Sequence, residues 1–452
     1  MKQIGFVCFG EVNTPFERLV IKHDGALKTL GALEDATVFD AGIVIDDPAY
    51  ETADAAVAKL LAAGELDCVI LCVAGWVPTH AVIRMTDRFR HLPMLLWGLC
   101  GWMENGHLVT TADQAGTTAI RPALAAMHYR FAFVYSVIGK PEPIERIRAF
   151  TSAAYAAKHL RTARVGTMGY RDMLLYGTQF EGNSMRGQLG VEVEPFEMLE
   201  IVQLQETLDP KEVAAAIAFV RQNWVFDKSC DDGVLETGVR YALAIGIKIE
   251  TRGYEAVTLI DVDGMKKLAG FPPAMVFMLL ERKYGVLTVP ENDVMGAVTQ
   301  LIAKSISGQI VPYLEYYEFF EKSMLIGVPD FIPSSATEGE THVLPTAFGL
   351  LSQSLLNVSR VKTGLVTCLR LIYQDGRYHM HMYLAEAKTP AKWEECGWTP
   401  PAPQLPSLEV FPLDCTVEEF ADKVSSQHVI VCYGDHRQAV RDFCKLLDID
   451  LA

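Results

Sequence analysis

The sequence predicts an α/β fold, with two doubly wound parallel-sheet domains followed by a smaller β-rich C-terminal domain. The predicted boundaries are 1–160, 161–332 and 333–452. Up to residue 332, short and nearly continuous apolar segments alternate with amphipathic stretches, which is typical of parallel strands covered by helices. Beyond it, apolar and polar residues alternate within segments, which indicates antiparallel strands. The length of 452 residues also exceeds what one ordinary core accommodates.

The first predicted domain contains five strands joined by helices. The predicted strands are 4–9, 36–39, 68–73, 93–97 and 131–137. Between them lie Ala-rich amphipathic stretches, such as 53–63 and 121–126, which predict helices. This alternation is typical of a Rossmann-like domain.

The second predicted domain opens after a helix at 143–160 and repeats the alternation. Its predicted strands are 163–168, 191–196, 256–260, 284–289 and 309–317. Its predicted helices include 210–219, 235–250, 273–283 and 294–307. In an open α/β sheet of this kind, functional groups gather at the carboxyl ends of the strands.

The third predicted domain is rich in β-structure. Segments 364–373 and 378–385 alternate apolar and polar residues around a turn at Asp375 and Gly376, which indicates a hairpin. The remaining predicted elements are a Pro-rich loop at 399–406, a strand at 428–433 and a closing helix at 437–447.

Composition argues against several classes of protein and partner. The chain has 40 Lys and Arg against 56 Asp and Glu, a net charge of −16, so we expect no nucleic-acid or membrane partner. It has no run of 18 apolar residues, and its first residues lack the pattern of a signal peptide. The ten cysteines form no CxxC pair and lie partly in apolar strands, as thiols do in a reducing compartment. We therefore expect a cytoplasmic protein.

Two carboxylates stand near the ends of predicted strands. Glu291 follows one buried strand, and Glu315 lies towards the end of the next. With a His from elsewhere in the chain, they would form an oxygen and nitrogen site suited to a divalent cation such as Mn²⁺. Simpler roles stay open, since Glu291 stands beside the helix-capping residues Asn292 and Asp293, and Glu315 fits a solvated strand end.

The local pattern does not single out the histidine of such a site. His379 and His381 share one face of a predicted strand, a spacing that suits a metal ion and equally a polar sheet face. His428 begins the apolar strand HVIVCYG, and His436 lies in the turn after it. The chain has no GxGxxG, Walker, GxSxG or HExxH motif, so no nucleotide cofactor is predicted.

Three long segments carry a family resemblance. They are 165–201 (VGTMGYRDMLLYGTQFEGNSMRGQLGVEVEPFEMLEI), 289–317 (VPENDVMGAVTQLIAKSISGQIVPYLEYY) and 426–451 (SQHVIVCYGDHRQAVRDFCKLLDIDL). In this order they resemble the L-fucose/L-arabinose isomerase family of sugar ketol-isomerases. The first is similar to the opening of that family's second domain. The other two are similar to the segments that hold two carboxylate ligands and one His ligand.

The resemblance implies that Glu291, Glu315 and His428 are metal ligands, and that Glu291 and Glu315 also perform the acid–base catalysis. It places Gln427 where the family uses an amide to contact the substrate. Glu315 follows Glu291 by 24 residues, the spacing of the Glu and Asp ligands of L-fucose isomerases. Two departures are that Glu315 replaces this Asp, as in L-arabinose isomerases, and that 326–330 lacks a further His found in L-arabinose isomerases.

The implied function is a Mn²⁺-dependent aldose–ketose isomerase, with Co²⁺ or Mg²⁺ as other divalent cations. The implied substrate is a monosaccharide that resembles L-fucose, D-arabinose or L-arabinose, or a 6-modified aldohexose such as sulfoquinovose. A sulfonated sugar requires a cationic pocket, for which the candidates are Lys266, Lys267, Arg171 and Arg186.

The family also implies a homo-oligomer, a hexamer or trimer with sites at subunit interfaces. The alternative is a non-catalytic cytoplasmic sugar-binding or sensor protein, because two α/β domains around a cleft also describe solute-binding proteins. The two strand-end carboxylates favour the enzyme.

Overall fold

The computed structural model describes residues 1–328, 331–345, 354–390 and 405–452. They form two compact units. The first comprises 1–158 with 438–446, and the second comprises 159–437 with 447–452. Most of the predicted Pro-rich loop, and residues 329 and 330, lie outside the described residues.

The first unit is built on a five-stranded parallel sheet. Its strands and helices are, in chain order, β1 (Lys2–Phe9), α1 (Phe16–Leu30), β2 (Ala36–Val44), α2 (Glu51–Ala62), β3 (Cys68–Val73), α3 (Thr79–Thr86), β4 (Met94–Gly98), β5 (Trp102–Glu104), β6 (His107–Val109), α4 (Asp113–Ala126), β7 (Phe131–Tyr135) and α5 (Ile144–His159). The sheet order is β2-β1-β3-β4-β7, which reverses between β1 and β3 as in doubly wound sheets. The five predicted strands and their parallel arrangement are confirmed.

The second unit begins with a four-stranded parallel sheet. Its elements up to residue 307 are β8 (Arg164–Met168), α6 (Gly182–Ser184), β9 (Glu192–Phe196), α7 (Met198–Leu204), α8 (Pro210–Asn223), β10 (Trp224–Phe226), α9 (Asp232–Arg252), β11 (Ala256–Leu259), α10 (Ala274–Tyr284), β12 (Leu287–Val289) and α11 (Val294–Ser307). The sheet order is β12-β11-β8-β9, with every pair parallel. A second parallel sheet is therefore confirmed.

A closed antiparallel barrel completes the second unit. The later elements of the chain are β13 (Tyr313–Phe319), β14 (Met324–Gly327), β15 (Thr341–Pro345), β16 (Leu355–Asn357), β17 (Gly364–Gln374), β18 (Arg377–Lys388), β19 (Ser407–Pro412), α12 (Val417–Ala421), β20 (His428–Tyr433), α13 (Arg437–Leu447) and β21 (Asp450–Leu451). All of them belong to the second unit except α13, most of which belongs to the first. Six strands run in the order β17-β20-β13-β14-β19-β18, and the barrel closes because β18 pairs with β17. β21 extends the sheet beside β18, while β10, β15 and β16 form a small separate sheet.

The barrel begins earlier in the chain than the sequence predicts. The sequence places β13 in the alternation of the second parallel-sheet domain, but β13 pairs antiparallel with β14 and β20. Only residues 320–323 join β13 to β14, and the Phe320 N–H donates to the Ser323 carbonyl at 2.8 Å. Parallel pairing needs a crossover of about a dozen residues, so this short connection allows only an antiparallel hairpin.

Helix α11 lies between the parallel sheet and the barrel of the second unit. It packs against β8, β11 and β12 of the sheet and against β17 and β20 of the barrel. Its residues from Val294 to Ala303 are all buried, as expected for a helix that is apolar on every face. Among the helices that the structure describes, neither this one nor any other is long and apolar enough to cross a membrane.

Candidate metal centre

The loop between β12 and α11 holds Glu291 in an uncommon backbone conformation. Glu291 and Asn292 have φ values of 61° and 49°, in the left-handed region that few non-glycine residues adopt. Such residues cost roughly 1–3 kcal/mol each and persist only where their surroundings fix them. The Asn292 amide donates to the carbonyls of Met168 and Tyr170, and its oxygen accepts from the Thr167 hydroxyl. These bonds hold Glu291 at the carboxyl end of the parallel sheet.

Strand register brings Glu315 and His428 together. β13 and β20 pair antiparallel, with Tyr313 opposite Ile430 and Glu315 directly opposite His428. Residues that face each other in this way project to the same side of a sheet, with Cβ atoms about 4.5–5.5 Å apart. A register shift of one residue would place one of the two side chains on the other face.

The three predicted ligands converge at one point of the second unit. His428 Nε2 lies 3.0 Å from Glu291 Oε2 and 3.2 Å from Glu315 Oε1. Their ligand atoms all lie within 4.8 Å of one another, and no other such group of three or more His, Cys, Asp or Glu occurs among the described residues. Gln427 is exposed beside them, with its Nε2 3.5 Å from Glu291 Oε2. Its amide is therefore placed to contact a molecule at the edge of the cluster.

The charge of the cluster suits a cation. Burial lowers the pKa of His428, but its contacts with Asp293, Glu291 and Glu315 outweigh burial and raise the pKa to about 10. Burial also raises the pKa of Glu291, against the lowering effect of the imidazole. The carboxylates thus favour positive charge at this position. A divalent cation on Nε2 would take the place of the imidazole proton and neutralise the two glutamates.

The spacing and chemistry of the donors also fit a small divalent ion. Neighbouring ligands of an octahedral ion with bonds of about 2.1 Å lie about 3 Å apart. The two carboxylate oxygens are 3.0 and 3.2 Å from His428 Nε2. Two carboxylates and one imidazole suit Mn²⁺, Co²⁺ and Mg²⁺, and three protein ligands leave positions for a substrate. These residues therefore fit the implied cation.

Asp293 lies behind the histidine in a buried network. Its Oδ2 is 3.3 Å from His428 Nδ1 and accepts from the Tyr313 hydroxyl at 2.8 Å. Arg370, on β17, donates to both oxygens, and the Gly296 N–H donates to Oδ1 at 2.9 Å. Burial acts to raise the pKa of Asp293, but the charge of Arg370 and the contact with His428 hold it well below its usual value. Asp293 is therefore an anion in the folded protein.

Sequence reasoning interpreted Asp293 only as a helix cap and overlooked Arg370. Asp293 does cap α11 through Gly296, but the same carboxylate also pairs with Arg370 and contacts the imidazole. A signal was present, because Arg370 stands in the otherwise apolar segment 368–372. A charged residue within a buried strand requires a partner.

The other candidate histidines lie outside the cluster. His381 is buried and stacks on Phe420 with ring centroids 5.1 Å apart, and burial lowers its pKa to about 4. His379 Nδ1 lies 3.9 Å from a carboxylate oxygen of Asp450, and His436 contacts a backbone carbonyl at 2.9 Å. Within the described residues, the metal-ligand cluster contains none of them.

The candidate cations for a sulfonated sugar have other described contacts. Lys267 and Arg186 pair with nearby carboxylates at 2.7 and 3.4 Å. The Arg171 guanidinium lies 4.6 Å from the centre of a tyrosine ring. Lys266 is half-buried. None of these contacts of Lys267, Arg186 and Arg171 involves Glu291, Glu315 or His428.

Gly296→Ala is expected to disturb the network around Asp293. A Cβ at Gly296 would lie 2.6 Å from the Tyr313 ring, 2.8 Å from Asp293 Oδ2 and 3.0 Å from Arg370 Nη1. Overpacking of a buried site costs about 1–3 kcal/mol. We therefore expect the free energy of unfolding to fall by this amount and Mn²⁺ binding to weaken, as measured by denaturant titration and calorimetry.

Gly25→Ala provides the matched control. Gly25 lies within α1, and a Cβ there would meet nothing within 4 Å. Alanine should stabilise this helix by about 0.5–1 kcal/mol and leave Mn²⁺ binding unchanged. Equal Mn²⁺ affinities for the two variants would contradict the packing argument.

Comparison with known proteins adds little to this geometry. No family model matches the chain, and no curated protein matches it. Among solved structures, the chain is similar to an ABC transporter solute-binding protein from Agrobacterium vitis, bound with α-D-tagatopyranose, at 12% sequence identity. The match covers 64% of this chain and 93% of that chain, with a TM-score of 0.17. A likeness at this level supports no conclusion about fold or function.

Proposed function

We propose that this chain is a metal-dependent aldose–ketose isomerase that converts a monosaccharide through an ene-diol. The observation that carries the proposal is the convergence of Glu291, Glu315 and His428, with ligand atoms within 4.8 Å of one another. The resemblance to the L-fucose/L-arabinose isomerase family assigns the metal to these same residues. It also supports three domains with a first boundary near 160, the second boundary lying before β13, where the barrel begins.

The reaction moves one proton between C1 and C2 of the sugar and another between O1 and O2. Bound in this site, Mn²⁺ would polarise the carbonyl and stabilise the negative charge that develops on the oxygens. Glu291 lies in the loop before α11 and Glu315 lies on β13. In the proposed mechanism, one of these carboxylates acts on each side of the C1–C2 bond to remove and return the proton. His428 would hold the ion through Nε2, and Gln427 would contact the sugar.

The substrate of the proposed reaction is a sugar resembling L-fucose, D-arabinose or L-arabinose, or a 6-modified aldohexose such as sulfoquinovose. The family resemblance further supports a homo-oligomer, a hexamer or trimer, in which a neighbouring subunit completes each site. The scattered cysteines support a cytoplasmic location. Light scattering of the purified protein tests this assembly, and a monomer would contradict it.

Chelator-stripped protein is expected to be inactive and to form ketose once Mn²⁺ is added. The reason is that the two glutamates alone cannot stabilise the charge of the ene-diol oxygens. The substrate panel contains L-fucose, D-arabinose, L-arabinose, L-rhamnose, D-glucose and sulfoquinovose. NMR of the sugar reports ketose formation for each member.

Mn²⁺-dependent ketose formation from any sugar would support the reaction class and identify the sugar series. Equal turnover with and without Mn²⁺ would contradict the role of the metal. Sugar binding with no turnover would favour the non-catalytic sugar-binding alternative. A protein that neither binds Mn²⁺ nor turns over any sugar would overturn the proposal.

A further inference from the structure

The two ring nitrogens of His428 have different surroundings. Nε2 faces the carboxylates of Glu291 and Glu315 at 3.0 and 3.2 Å. Nδ1 faces Asp293 Oδ2 at 3.3 Å. A neutral imidazole carries its proton on one nitrogen and a lone pair on the other, and the partner of each nitrogen decides which. A cation among the glutamates requires the lone pair on Nε2.

Asp293 is placed to act on the histidine and not as a fourth ligand. It is 0% exposed, and the described group of ligand atoms within 4.8 Å does not include it. Its Oδ1 accepts from the Gly296 N–H and from Arg370, while its Oδ2 accepts from Arg370 and the Tyr313 hydroxyl. An anionic carboxylate can only accept hydrogen bonds, so it favours a proton on Nδ1.

Tyr313 and Arg370 fix both partners of this contact. The Tyr313 ring lies against the imidazole of His428, with centroids 4.6 Å apart and planes at 35°, and its hydroxyl donates to Asp293. The Arg370 guanidinium, 3% exposed, holds the same carboxylate through two nitrogens. The imidazole and the carboxylate are therefore oriented by one set of buried side chains.

We propose that Asp293 is a positioning residue that keeps the proton of neutral His428 on Nδ1, so that Nε2 presents its lone pair to the cation. Arg370 and Tyr313 hold the carboxylate in the orientation that this role requires. The inference rests on the proposed function, because it concerns the cation of that site. A capping role alone does not explain this network. Capping α11 needs only one acceptor oxygen of Asp293, whereas the buried pair with Arg370 adds a desolvation cost that a cap does not require.

The combination of D293N with R370M tests this role. The double substitution removes both buried charges, so neither is left without its partner. The Gly296 N–H still requires an acceptor, which turns the oxygen of the new amide towards Gly296 and its NH₂ group towards His428 Nδ1. An NH₂ group can only donate, so the imidazole proton should move to Nε2. We expect the Kd for Mn²⁺ to rise by about 10- to 100-fold, as when a metal-bound His loses its outer partner.

The combination of D442N with R146M is the matched control. Asp442 and Arg146 form a comparable pair within the first unit, with contacts of 2.5 and 2.8 Å. Removing this pair should leave the Kd for Mn²⁺ unchanged. Calorimetric titration of full-length, chelator-stripped proteins gives both values. An unchanged Kd in D293N with R370M overturns the inference.

Nitrogen-15 NMR of the Zn²⁺-loaded, histidine-labelled wild-type protein gives a readout that does not depend on the double variant folding. The His428 signal is identified by its absence in H428Q. We expect Nδ1 to carry a proton that exchanges slowly with solvent, and Nε2 to carry none. A metal bound to Nδ1, or a rapidly exchanging Nδ1 proton, overturns the inference. A wild-type protein that binds neither Mn²⁺ nor Zn²⁺ overturns the proposed function as well.

Discussion

Glu315→Gln is expected to abolish detectable turnover of the Mn²⁺-loaded protein while leaving the fold intact. The amide has nearly the same shape as the carboxylate, and the Glu315 side chain stays 18% exposed, so little packing changes. An amide cannot take up the carbon-bound proton, and it is a weaker ligand than an anion. Loss of a general base alone lowers rates by about 10²–10⁴-fold. Initial rates of ketose formation, together with thermal unfolding, measure the two effects separately.

Glu318→Gln is the control on the same strand. Glu318 also lies on β13, but it is exposed and does not belong to the described ligand cluster. Its substitution should leave kcat and the melting temperature unchanged. Wild-type turnover in Glu315→Gln would remove Glu315 from the proposed chemistry, whereas equal losses in both variants would indicate damage to β13.

The parallel sheets could be predicted because burial leaves a local mark on sequence. β3 and β4 are buried along their whole length, and their uninterrupted apolar residues express this directly. The predicted end of β2 was wrong because the prediction depended on apolar residues alone. Its prediction stopped at residue 39, where Asp40 breaks the apolar run, but the strand continues to Val44. Asp40 is exposed within the strand, so it interrupts the apolar pattern. The backbone pairing of β2 with β1 nevertheless continues to Val44.

The barrel shows what local pattern cannot supply. The hairpin of β17 and β18 was predicted from Asp375 and Gly376, and both have positive φ in the observed two-residue turn. Other pairings join strands far apart in the chain, such as β13 with β20. An apolar strand does not encode which distant strand pairs with it or in which direction. The sequence therefore grouped β13 with the parallel strands before it.

In the candidate site too, local pattern identifies some residues but not the pairings between distant ones. Glu291 and Glu315 stand at strand ends, where local reasoning singles them out, and the family resemblance adds His428 to them. The pairing of Asp293 with Arg370 spans 77 residues and depends on α11 packing against β17. No local segment contains both partners, so only the fold reveals this ion pair. The assignment of the cluster to a metal stays a prediction that binding experiments address.

His428→Gln is expected to raise the Kd for Mn²⁺ by more than about 100-fold, beyond the 10- to 100-fold loss typical of an outer partner. The substitution removes the nitrogen donor and leaves Glu291 and Glu315 without the positive charge between them. Breaking a buried charge pair costs about 3–5 kcal/mol, so the metal-free variant should also unfold more easily. The His428 pKa is raised to about 10, so its stabilisation is complete below about pH 6.5 and is lost as pH rises through about 10. As pH rises through about 10, the difference in unfolding free energy between metal-free wild type and metal-free His428→Gln should therefore shrink.

His379→Gln separates the loss of a ligand from the loss of any histidine. His379 is half-buried on β18, and the described ligand cluster does not include it. Calorimetric titration of the chelator-stripped proteins should therefore give a wild-type Kd for His379→Gln and a Kd raised by more than about 100-fold for His428→Gln. No other His of the described residues lies in the cluster. Unchanged Mn²⁺ affinity in His428→Gln would therefore mean that the metal does not bind at Glu291 and Glu315 through a histidine nitrogen. The proposed isomerase site would then lose its structural basis.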